Sequence, residues 1–155
     1  AVFTGDAFGL HYPDLQQRGT FAIPSTSPTD FDAELARQAI RRIEALAPDA
    51  VFPTHFGPVT DIAESAGQLI RHLDFAERVF EDAFSSDLPD EALENYVKPR
   101  LEDYFSGLFD CRGAPGSSSD AWDLVAMDID LNAQGIAFAA NKRRRKGREA
   151  EQSIG

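Results

Sequence analysis

The stretches AVFTGDAFGL (1–10) and AVFPTHFGPV (50–59) decide how this chain is read. Each is a short apolar run that ends in a polar residue beside a glycine: Asp6 after Gly5, and His55 two before Gly57. Small, β-branched and aromatic residues running into Gly or Pro spell a strand that gives way to a loop. Pro53 puts the second strand's end at a terminus or a sheet edge. Between them, TDFDAELARQAIRRIEALAPD (29–49) reads as a helix, with Phe31, Leu35, Ala39, Ile43 and Leu46 as its apolar stripe, Asp30 as its N-cap and Pro48 at its stop. Strand, crossover helix and strand form a β-α-β unit, so the spacing predicts parallel strands. Parallel strands end at one edge of a sheet, where open α/β sheets bind ligands. Asp6 and His55 are therefore expected to face one cleft.

Outward from these stretches, 6–28 carries Gly, Pro and Ser punctuation and no helical period, which predicts a long loop. The segment 60–84 reads as a helix with Ile62, Ala66, Leu69, Leu73, Ala76 and Phe80 buried, and Asp61 and Glu64 stand at capping-box spacing. A further helix over 90–109 is expected to kink or break near Pro99. After a loop over 111–119, a last helix begins near Asp120 with Trp122, Val125, Ile129 and Ile136 on one face.

The 155 residues suffice for one domain with a real core. Net charge is -11, unevenly spread: residues 142–155 hold six of the 15 Lys and Arg and two of the 26 Asp and Glu, which leaves nine basic against 24 acidic residues before them, or -15. An acidic body gives no reason to expect nucleic acid as a partner. The basic run Lys142–Lys146 reads either as an anion-binding patch or as a solvated helix end whose cations suit the helix dipole. Cys111 is the single cysteine, so no internal disulfide forms and a reducing, cytoplasmic setting is expected. No apolar run is long enough to span a membrane. The chain opens on Ala1 inside a strand-like run, which leads to the expectation of further sequence upstream.

Carboxylate oxygen and imidazole nitrogen both suit first-row metals, so Asp6 and His55 are candidate metal ligands. Either residue can equally serve a turn, since Asp bonds its own backbone there. The wording around them adds to the pattern: FTGDAFG, a helix, then FPTHFGPV resembles the C-terminal half of the metallo-β-lactamase-fold hydrolases. The helix SPTDFDAELARQAIRRIEAL (27–46) and the LNAQGIA segment (131–137) resemble that family's bacterial members too. The resemblance implies an α/β fold, half of an αββα sandwich over 1–84, followed by a helical extension over 85–141 and a basic, frayed tail over 142–155. It implies two divalent metal ions, zinc or else iron or manganese, with Asp6 bridging both and His55 holding the second. A metal-bound hydroxide would then attack an ester, thioester, lactone or phosphoester. The family's H-x-H-x-D-H motif is absent from this chain, which has three histidines in all. The resemblance therefore implies an enzyme whose first half lies elsewhere, with this chain inactive alone.

Other residues offer less. His11 and Tyr12 are candidate substrate contacts on the loop after Asp6, or else loop residues that bond backbone and pack. His72 reads as a partly exposed helix residue and Cys111 as structural. Ser25, Thr26 and Ser27 read as turn and cap residues. Expected partners are a small-molecule substrate and a second copy of the chain through the C-terminal helices, with no nucleic acid and no membrane. The competing reading is a non-catalytic helical binding or assembly module in which Asp6 and His55 are relics of a metal site.

Overall fold

The computed structural model describes residues 1–26, 31–112 and 118–152. Strand β1 (Val2–Gly5) leads into a loop with short 3-10 turns at Asp6–Phe8 and Pro13–Gln16. Helix α1 (Ala33–Ala45) and strand β2 (Val51–Pro53) follow. Then come α2 (Ile62–Ser85), a 3-10 turn at Asp90–Ala92, α3 (Leu93–Arg112) and α4 (Ser118–Gln152).

The expected half of an αββα sandwich is absent, and the chain is mostly helical. Among the described residues the sheet is β1 and β2 alone, parallel, with Val2 opposite Val51 and Phe3 opposite Phe52. The predicted β-α-β unit exists, but it does not grow into a layer. The apolar residues beyond it recur at steps of three and four rather than two, so they bury as helices.

Two apolar clusters result. Phe8, Ile40, Ile43, Val51, Val59 and Leu69 join the strands to α1 and α2. A larger one packs α2 against α3 and α4 through Val79, Leu93, Val97, Leu101, Val125, Ile129 and Ile136, and takes in Leu10, Phe21 and Ile23 from the long loop. The stripe on α2 follows the sequence expectation, with Ala66, Leu69, Leu73 and Ala76 buried. The stripe on α1 does so only at Ile43: Leu35 and Leu46 are exposed, and Ala33, Arg37 and Ile40 face inward beside Ile43. The N-cap of α1 is Asp32, whose carboxylate accepts from the Leu35 N–H at 2.9 Å. The Asp30 cap and Ser27 lie outside the described residues.

Asp61 and Glu64 do not form a capping box. Asp61 accepts from the Thr20 hydroxyl, and Glu64 accepts from the Gln68 side chain. Pro99 sits inside α3, which continues through it to Arg112. As the seventh residue of the helix it leaves the Asn95 carbonyl without its i→i−4 donor. The basic run of α4 is not simply solvated. The Arg144 guanidinium donates to the carbonyls of Ala83, Phe84, Ser86 and Leu88, where α2 ends and its last C=O groups lack helical partners. Arg143 pairs with Glu81, and Arg148 with Asp90.

Candidate functional site

The parallel register brings the two candidate ligands together. Gly5 pairs with Pro53, and the Thr54 N–H donates to the Gly5 carbonyl at 3.3 Å. Asp6 is the next residue after β1, and His55 the second after β2. Both are exposed at the same C-terminal edge of the sheet. Gly5 has φ +57, a conformation that turns the chain sharply at Asp6 and that glycine adopts without steric cost.

After β2 the chain doubles back, and Val51 and Val59 exchange two backbone hydrogen bonds at 2.9 and 2.8 Å. The intervening loop carries Phe56 at φ +71, an uncommon conformation for a bulky residue. Its ring lies 4.2 Å from that of Tyr12, which holds the His55 loop against the loop that follows Asp6. Both strand-end loops thus share one wall.

A cavity of about 470 Å³ opens beside this wall, lined by His11, Gln16, Thr20, Phe56, Pro58 and Asp61 among others. His11 is buried rather than a solvent-facing loop residue that bonds backbone. Its Nε2 lies 3.1 Å from the Ser65 hydroxyl, its ring stacks on Phe8, and its Nδ1 has no partner among the described residues. Burial pushes its pKa down to about 4, so the imidazole is neutral near pH 7. Tyr12 does not aim its hydroxyl at the cavity, because that group donates to the Asp128 carboxylate on α4. Burial first, and then Asp128, raises the Tyr12 pKa to about 12.

His72 is not a partly exposed helix residue. It is buried among Phe21, Tyr104 and Phe105, with Nδ1 2.8 Å from the Tyr104 hydroxyl. Thr26 is buried, and its N–H donates to Asn132 on α4 at 2.8 Å, which is a structural role. Cys111 is exposed and free.

Sequence reasoning missed Ser65 and Gln68. Gln68 donates to the Thr20 carbonyl and accepts from the Ala22 N–H, so it fixes the cavity-lining loop to α2. Their signal was present: polar residues three apart, flanking Ala66 and Leu69 on the buried side of an amphipathic helix, need partners there.

One carboxylate and one imidazole suit the edge of a metal site, while a first-row ion ordinarily takes three or four protein donors. Among the described residues no group of three His, Cys, Asp or Glu gathers at one point. Among the described residues the donor set is therefore partial. No family model, curated protein or solved structure matches the chain.

Proposed function

We propose that this chain carries two ligands of a dinuclear metal-dependent hydrolase, with Asp6 as the bridging carboxylate and His55 as a terminal ligand. The observation that carries the reading is the register of β1 and β2, which sets both exposed side chains at one sheet edge. A carboxylate has two oxygens and serves two ions, whereas an imidazole offers one nitrogen to one. Divalent ions, zinc first and iron or manganese next, supply Lewis acidity and water activation in such enzymes. The missing histidine donors come from a separate segment of the H-x-H-x-D-H type, without which the chain is inactive.

The cavity next to the His55 loop, whose lining includes Phe56 but neither Asp6 nor His55, supports a narrower substrate class. Its lining includes the Asp61 carboxylate and the neutral His11 imidazole, with Phe56 and prolines as apolar walls, and neither Lys nor Arg. An uncharged or cationic acyl compound, whether ester, thioester or lactone, suits these walls better than a phosphoester. A reducing, cytoplasmic setting fits the lone exposed Cys111, and among the described residues no helix is long and apolar enough to cross a membrane.

The test uses a polypeptide that joins this chain to an H-x-H-x-D-H segment. Asp6→Asn is expected to cut turnover by several orders of magnitude. His55→Ala is expected chiefly to lower metal content, with partial recovery on added metal, and Asp14→Asn on the exposed 3-10 turn to change little. Equal turnover in Asp6→Asn and Asp14→Asn would overturn the reading. The competing reading of a helical assembly module rests on the dominance of α2, α3 and α4 in the larger core. It predicts no activity in any such polypeptide.

A further inference from the structure

Helix α4 buries one face and leaves another apolar. Ala121, Val125, Ile129, Ala133, Ile136 and Ala140 point into the core. On the outer face, Met127, Leu131, Gln134 and Phe138 recur at steps of four, three and four, the spacing of a helix seam. Met127 is 69% exposed, and Leu131 and Phe138 are each 40% exposed. Single exposed apolar residues are ordinary, but a continuous stripe at seam spacing is the form of a helix-packing surface.

The charges along α4 say what covers it. Within the chain Asp128 accepts from Tyr12, Asp130 pairs with Lys98, and Arg143, Arg144 and Arg148 are bound by Glu81, the end of α2 and Asp90, which leaves the exposed Asp123 towards one end of the face and the exposed Arg145 and Lys146 towards the other. A second α4 laid antiparallel meets the acidic end with its basic end, whereas a parallel one sets like against like. We propose that this face is the interface of a homodimer in which two α4 helices pack antiparallel about a two-fold axis at Gln134.

The register follows from the residues. With the axis at Gln134, the exposed Asp123 stands opposite the exposed Arg145 of the second copy, since each is eleven positions from residue 134. Leu131 meets the neighbourhood of Phe138. Met127 comes opposite Asn141 of the second copy. A polar residue at the centre of an apolar seam fixes register at some cost in stability, which suits Gln134 meeting its own copy. Each copy brings only three exposed large apolar side chains to the seam, Met127, Leu131 and Phe138, so the dimer is weak and concentration-dependent.

Sedimentation velocity of the full chain from about 5 to about 300 µM reads this directly. The expected result is a monomer at the low end and a rising dimer fraction above it. Leu131→Glu with Phe138→Glu should hold the chain monomeric throughout, with an unchanged circular dichroism spectrum. Asp123→Arg or Arg145→Asp alone should weaken the dimer about tenfold or more, and the two together should restore most of it. A monomer at every concentration would overturn the proposal. So would a dimer that survives the double glutamate variant, one abolished by Phe3→Glu on the sheet instead, or charge variants that fail to rescue each other.

Discussion

Gly9 has no room for a side chain. Its φ is +69, and a Cβ there would lie 2.5 Å from the Ile23 carbonyl oxygen and 2.6 Å from a methyl of Leu69. The close approach lets Leu10 and Ile23 exchange backbone hydrogen bonds at 2.8 and 3.0 Å and seats the loop on α2. Gly9→Ala combines backbone strain with overpacking and is expected to cost about 2–4 kcal/mol, read from urea denaturation. His11, two residues on, ties the same loop to Ser65. Its pKa in the folded protein, about 4, lies below the ordinary 6.5. The unfolded chain therefore takes up the proton first as pH falls. The stability His11 confers is complete above about pH 6.5 and lost towards pH 4, by up to about 3 kcal/mol. Denaturation at pH 7 and pH 5 should show a smaller drop for His11→Gln than for the unmodified chain, and an equal drop would refute the assignment. The positions of Asp6 and His55 were legible, because each closes a short strand in a β-α-β unit. The burial of His11 and His72 was not, because it depends on Ser65 and Tyr104, 54 and 32 residues away.

At the scale of elements, the buried face of α1 departs from the expected stripe at Arg37, a residue type that ordinarily marks the wet face of a helix. Arg37 instead lies inward between Asp74 and Glu77 of α2, at 2.8 and 2.5 Å, and this pairing turns the helix. These two carboxylates hold the Arg37 pKa above its usual value. The end of α2 was legible, since the expected helix over 60–84 stops within a residue of Ser85, but the Arg144 guanidinium that bonds its last carbonyls comes from some 60 residues downstream. No residue near Ser86 in sequence announces it. Arg144→Ala removes the donor to the carbonyls of Phe84, Ser86 and Leu88 and is expected to destabilise by about 2–4 kcal/mol. Arg144→Lys should restore less than half, since an ammonium cannot span the same set of acceptors. Thermal unfolding of the two variants checks both values.

Across the whole molecule, helices hold the fold together and a two-stranded sheet presents Asp6 and His55 at one edge. Parallel sheets ordinarily have both faces covered. Here Phe3 is 82% exposed and stacks on Phe52 at 5.1 Å on the open face. The expected sandwich came from the resemblance rather than from the residues, whose period-two pattern covers just two short runs. Counting periods alone gives a helical protein with one β-α-β unit, which is what forms. The claim that this unit presents a metal edge is tested most directly by titrating the chain with zinc and following the ring protons of all three histidines by NMR. The account predicts that His55 alone shifts, that binding is weak enough to be reversed by dialysis, and that Asp6→Asn weakens it further. Zinc that shifts His11 or His72 first, or shifts His55 equally in the unmodified chain and in Asp6→Asn, would contradict it.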